Sequence, residues 1–259
     1  MRIMRLDFTH VRPGVLGFLP HRTAEKEAPR RGAKPMPAMA TRLGALTIGQ
    51  SPRTDIIPEL RSVLGNEIEI VEAGALDGLS SLEIARLAPA GEEQVLVTRL
   101  RDGSSTRIGH GHVVPLLSER LADLLPRVDA VLLLCTGTFA PFPATRPILY
   151  PERLMLAMVQ ALAPRHLGII TPDPAQAEEQ QVRWRPAADR LSVLAGSPYA
   201  SAETLPALGA DLARRGADLI VLDSLGYGLA MKAVVRRTAG QPVLFPRTVL
   251  ARAAAELLG

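Results

Sequence analysis

DAVLLLCTG at residues 129–137 and DLIVLDSLG at residues 218–226 decide the fold. Each opens on an aspartate, runs through aliphatic residues and closes on a small polar residue with a glycine two positions later. Aliphatic runs of this length suit strands covered on both faces, so each reads as a central strand of a parallel sheet. Two further pairs fall in the same order: LGALTI (43–48) with LGIITP (167–172), and VEAG (71–74) with VLAG (193–196). Three matches in one order predict an internal duplication. The competing reading is that buried parallel strands resemble one another because both faces demand Val, Leu and Ile.

Working outward, helical patterns occupy 51–65, 113–128, 151–164, 175–186, 204–217, 227–240 and Pro246 to Leu258. Further strands are read at 67–74, 94–100, 105–110, 191–199 and 242–245, with Asp102-Gly103 as a hairpin turn. The alternation predicts an α/β protein of two lobes with parallel sheets, related by a pseudo-twofold axis, with a cleft between them. The first lobe is expected over 42–150 and the second over 151–259, with exchange of a strand or helix between them left open. Strand ends in such sheets face the ligand crevice, so Cys135 and Ser224 are expected to face one another. Ionisable groups on two sides of a substrate carbon suit proton transfer.

Composition removes several classes. A single cysteine excludes an internal disulfide or a two-cysteine zinc site, and 3% aromatic residues leave few platforms for stacking on nucleic acid. The net charge of +4 hides an asymmetry: residues 1–39 carry +5 and residues 40–259 carry −1. The basic excess is therefore off the folded body, and neither nucleic acid nor membrane is an expected partner. Residues 1–38, rich in Pro and charge, read as a disordered, dispensable extension, with Met36 or Met39 an alternative start. The folded part is expected to begin near Thr41, in a cytoplasmic protein.

Taken together, LTIGQSPRTDIIPEL, VLLLCTG, LGIITP, GADLIVLDSLGYG and PVLFPRTVLARAAAELL resemble the AroM family, across about residues 42–258. That family is a branch of the aspartate/glutamate racemase-like superfamily, with hydantoin racemase, maleate isomerase and arylmalonate decarboxylase. The resemblance implies two Rossmann-like lobes, a site that needs no cofactor, and a cysteine on each lobe as acid and base. The sequence departs twice from that pattern. The first motif, similar to Cys-Asn-Thr, stands as Cys135-Thr136-Gly137-Thr138 without the Asn, and the second cysteine is replaced by Ser224.

Cys135 is thus the expected principal acid/base, although a free cysteine ending an apolar strand is commonly a small hydrophobe. Ser224 is a weaker proton carrier than a thiol and is given an orienting or water-relaying role, aided by Asp223. One thiol suits one-sided protonation, as in a decarboxylase-type reaction, better than symmetric racemisation. The turns Thr136 to Thr138, with Gly137 between, and Leu225 to Tyr227 are placed to donate N–H groups to a developing enediolate. Ser51, Arg53 and Thr54, at a loop-to-helix start, read as a carboxylate site, against an ordinary N-cap with an exposed Arg. Thr171 mirrors Thr47 and lines the same cleft, and Tyr227 offers a ligand hydroxyl or merely packs.

No metal is expected: His110 and His112 in GHGH read better as a loop after a hairpin. Neither nucleotide-binding glycine motif is present, so no dinucleotide or triphosphate is expected either. The expectation is a cofactor-independent isomerase or lyase acting next to a carboxylate of a small amino or dicarboxylic acid. The alternative is a non-catalytic ligand binder with a degenerate second position; a homo-oligomer is left open.

Overall fold

Four parallel strands build the first sheet, and four build the second. In chain order the first sheet holds β1 (Arg42–Thr47), β2 (Glu69–Gly74), β5 (Ala130–Leu134) and β6 (Ile148–Leu149). The second holds β7 (His166–Thr171), β8 (Arg190–Ala195), β9 (Leu219–Leu222) and β10 (Val243–Leu244). Between β2 and β5 stands a separate antiparallel hairpin of β3 (Val95–Arg99) and β4 (Ser105–Gly109), closed at Asp102-Gly103. This computed structural model describes residues 41–199 and 203–259, all within one compact unit. The expectations for residues 1–38 lie outside the described residues.

The strand orders are β2-β1-β5-β6 and β8-β7-β9-β10, one order twice when β1 is matched with β7 and β5 with β9. The two aspartates that open the quoted stretches do the same work. Asp129 accepts from the Arg42 N–H at 2.8 Å, and Asp218 from the His166 N–H at 3.1 Å, each carboxylate fastening the start of the neighbouring central strand. Register corrects one alignment: Thr47 lies opposite Gly74 but Thr171 opposite Ala195, so VEAG and VLAG are one residue out of step. Strands β5, β7 and β9 are buried along their whole length, as their aliphatic runs require.

Among the described residues eight α-helices cover the sheets and their connections. They are α1 (Ile57–Leu64), α2 (Ser81–Ala85), α3 (His110–Leu124), α4 (Pro151–Leu162), α5 (Ala177–Trp184), α6 (Thr204–Arg214), α7 (Leu229–Ala239) and α8 (Pro246–Leu258). The lobes are not two contiguous halves of the chain. α4 follows the first sheet but buries Met155 and Val159 against Leu167, Ile169 and Val221 of the second. α8 follows the second sheet but buries Leu250, Ala251 and Ala254 against Leu43, Ala45 and Leu132 of the first. Each lobe thus lends its last helix to the other. Both helices begin with proline after an aromatic residue, Tyr150-Pro151 and Phe245-Pro246, a start that fixes φ where the helix has no N–H to satisfy.

Two helix starts depart most from the sequence reading. α1 begins at Ile57 rather than 51, because the Ser51 and Arg53 N–H groups are taken by the Asp77 and Glu72 carboxylates at 2.8 and 2.6 Å. α3 begins at His110, so GHGH is a first helical turn and not a loop, with the His110 Nε2 on the Thr138 carbonyl at 3.0 Å. Among the described residues no helix is long and apolar enough to cross a membrane.

Candidate functional site

Cys135 directly follows β5 and Ser224 lies two residues after β9, and the chain turns alike at both places. The Gly137 N–H donates to the Cys135 Sγ at 3.3 Å, and the Gly226 N–H donates to the Ser224 Oγ at 3.0 Å. Both side chains are buried, and both line one narrow cleft whose free volume is only about 30 Å³. Its other walls come from Arg53 after β1, Leu96 to Thr98 of the hairpin, and Gln176 and Tyr199 of the second lobe.

Burial pushes the Cys135 thiol up to about 11, against the Gly137 N–H and the Arg183 charge, which pull it down. A thiol so held keeps its proton at neutral pH and is loaded as a donor. The accessible, acidic thiol expected of a two-way acid/base is not what this cleft holds: desolvation outweighs the donors around it. Among the described residues no group of three or more His, Cys, Asp or Glu is placed to hold a metal ion.

Arg53 is buried, but its guanidinium is already engaged. Nε and Nη2 grip the two oxygens of Asp55 at 2.8 and 2.9 Å, and Nη1 donates to the Thr47 hydroxyl at 2.9 Å. Burial opposes the charge on both side chains, yet the pair outweighs it, raising Arg53 and lowering Asp55 from their ordinary values. Arg53 therefore shapes the cleft as half of an ion pair rather than as a free carboxylate clamp.

Of its expected neighbours, Ser51 donates its hydroxyl to Asp77 at 2.5 Å and Thr54 is exposed; neither lines the cleft. Thr171 is fully buried and donates to Gln176 Oε1 at 2.8 Å, so it holds a lining residue without lining the cleft itself. Thr136 and Gly137 line the cleft, whereas Thr138 is exposed outside it because the chain turns away at Gly137. Tyr227 packs with 0% exposure, its hydroxyl on the Gly196 carbonyl at 2.6 Å, leaving nothing for a ligand. The turn N–H groups of Gly137 and Gly226 serve Cys135 and Ser224 in this state, not a substrate oxygen.

Sequence reasoning missed the groups that converge from elsewhere. Thr98, 2% exposed, lines the cleft with an Oγ1 that has no partner among the described residues. Arg183 of α5 pairs with Asp223 and donates to the Thr136 carbonyl, while Trp184 Nε1 donates to Gln180 at 2.9 Å. Arg247 of the exchanged α8 donates to the carbonyls of Leu225, Asp55 and Gly226 at 2.7, 2.7 and 3.1 Å and pairs with Glu59 at 3.0 Å. The sequence signal for Arg247 was the repeated start ILYPE and VLFPR, which marks equivalent helices.

The family model described as AroM protein matches residues 43–258. No curated protein matches the chain. Among solved structures, maleate isomerase from Pseudomonas putida S16 is similar at 13% identity and a TM-score of 0.56, covering 84% of this chain and 92% of that one. Unliganded arylmalonate decarboxylase follows at 17% identity and a TM-score of 0.54, with 85% and 93% covered. Glutamate racemase from Francisella tularensis, solved with D-glutamate, is similar at 13% identity and a TM-score of 0.54, with 85% and 81% covered. These likenesses show the two-lobe α/β fold.

Proposed function

Since the chain belongs to the AroM family, we propose that its cleft is a cofactor-independent isomerase or lyase site acting next to a carboxylate of a small amino or dicarboxylic acid. The observation that carries this reading is the lining of one cleft by Cys135 and Ser224 from matched strand ends on two sheets. Solved proteins of this fold whose names state a reaction on small carboxylates support it. The repeated strand order and the exchanged helices support a pseudo-twofold relation between the lobes.

Cys135 is the proton carrier. In exchange the Cys135 thiolate takes the α-proton, leaving the electron pair in an enediolate, and the thiol, after exchange with solvent, returns a proton to that carbon. In decarboxylation CO₂ leaves, the Cys135 S–H protonates the enediolate carbon and solvent reprotonates the thiolate. A thiol that keeps its proton at neutral pH stands as a donor at rest, and with no second thiol opposite it one-sided protonation fits better than racemisation. Ser224 orients the substrate from the other side, and the unpartnered Thr98 hydroxyl supplies a donor to the developing charge. A reduced, unpaired cysteine as the working group goes with a cytoplasmic setting.

The test is a screen of amino and dicarboxylic acids for α-proton exchange in heavy water, run beside a thermal-shift screen of the same compounds. Exchange that is lost in Cys135→Ala supports the reading. The raised thiol and the narrow cleft favour a second reading, a non-catalytic ligand binder. Compounds that raise the melting temperature without any exchange would establish that one instead.

A further inference from the structure

We infer that Arg183 is the positioning residue of the Cys135 thiol and that Asp223 masks its charge. The inference rests on reading Cys135 as the proton carrier, but its geometry stands apart from any substrate. The Arg183 guanidinium reaches both strand ends. It donates to the carbonyl of Thr136, the residue after Cys135, and pairs with Asp223, the residue before Ser224. The Thr136 hydroxyl closes the same loop, donating to the Asp223 carbonyl at 3.5 Å. A single side chain on α5 therefore ties the turn of one sheet to that of the other.

The pair is deeply buried, with side-chain exposures of 7% for Arg183 and 2% for Asp223. Trp184 Nε1 adds a long contact to the carboxylate at 3.4 Å, and Gln180 accepts from Arg183. Arg183 Nε remains without a partner among the described residues. Removing two charges from water and leaving a donor unmatched costs stability that apolar residues of the same size would spare. An arrangement this costly beside the one thiol is explained by what it does to that thiol. The groups facing Cys135 are Arg183 and Glu179 from α5, Arg53 from the loop after β1 and the Gly137 N–H, with Ser224 and Tyr199 also lining the cleft. Arg183 favours the thiolate, and Asp223 cancels most of that field as long as the two are paired.

The signature is a pair of opposite effects. Asp223→Asn keeps the shape and unmasks a cation, so ionisation of Cys135 becomes easier. Arg183→Gln removes the cation, so ionisation becomes harder. Cys135 is the only cysteine, so iodoacetamide consumption by the full chain reports on it alone. At pH ~9, a one-unit shift in the thiol changes the alkylation rate about tenfold. The expected result is an increase of that size in Asp223→Asn and a comparable decrease in Arg183→Gln. Mere loosening of the cleft would speed both, and that outcome, or an unchanged rate in Asp223→Asn, overturns the inference. Should Asp223→Asn not fold, Arg183→Lys decides, because restoring the cation should return the rate from the Gln level to within about threefold of wild type. A Lys variant as slow as Gln would overturn the electrostatic role. No turnover enters this measurement, so its failure is separate from failure of the proton-carrier reading, which rests on Cys135→Ala and α-proton exchange.

Discussion

Cys135 and Ser224 are held alike: each heavy atom accepts the backbone N–H two residues on, at 3.3 and 3.0 Å, at the end of the matching strand of its own sheet. The chain repeats the turn and changes only the atom it presents, sulfur on one side and oxygen on the other. The asymmetry is chemical rather than architectural. A substrate in the cleft meets one group that gives up a proton with difficulty and another that practically does not.

That difference sets a pH dependence of stability. The Cys135 thiol is raised in the folded protein from 9.0 to about 11, chiefly by burial. The folded state therefore holds the proton more tightly than the unfolded chain. Its contribution is fully present below about pH 9 and is lost as pH rises towards 11. Urea unfolding of wild type should lose on the order of 2–3 kcal/mol more over that window than Cys135→Ser does. Parallel pH profiles for the two proteins would contradict the burial of the thiol.

Arg247 carries the exchanged helix into the site. It braces the turn after Ser224 through Leu225 and Gly226 and the loop at Asp55, and pairs with Glu59 on α1. Arg247→Met leaves those carbonyls without the guanidinium and the Glu59 carboxylate with only the Leu229 N–H, at 3.1 Å. The expected cost is about 3–5 kcal/mol in urea unfolding. A loss under about 1 kcal/mol would mean that water replaces the guanidinium at no great cost.

Ser224→Cys tests the two-sided cleft. A second thiol in the matching turn should create or strongly raise racemisation of any compound that wild type exchanges. Chiral chromatography of the recovered substrate is the readout. No gain, with exchange still dependent on Cys135, would show that position 224 does not face the reacting carbon.

The strands and the Cys135–Ser224 match were legible because a strand buried on both faces must be aliphatic, and AVLLL (130–134) and LIVL (219–222) are. The binding residues were less so. Ser51 and Thr54 looked like a helix start, but Asp77 and Glu72, distant in sequence, take the N–H groups that a cap would have used. Arg183 sits in AQAEEQQVRWRP, which reads as a polar helix; only the packing of α5 over the strand ends buries it against Asp223. Tyr199 and Tyr227 are alike in sequence terms, yet one lines the cleft and the other packs against Gly196. Local pattern tells which residues are apolar and where chains turn, not which distant carboxylate will satisfy a given donor.

The central claim is that Cys135 carries the proton. Its most direct measurement is the rate of α-proton exchange in heavy water, on a compound that wild type exchanges, in Cys135→Ala against wild type. The account predicts a loss of about 10²- to 10⁴-fold, the range for removal of a general acid or base, with the compound still bound. A loss below about tenfold would place the chemistry on another residue and contradict it.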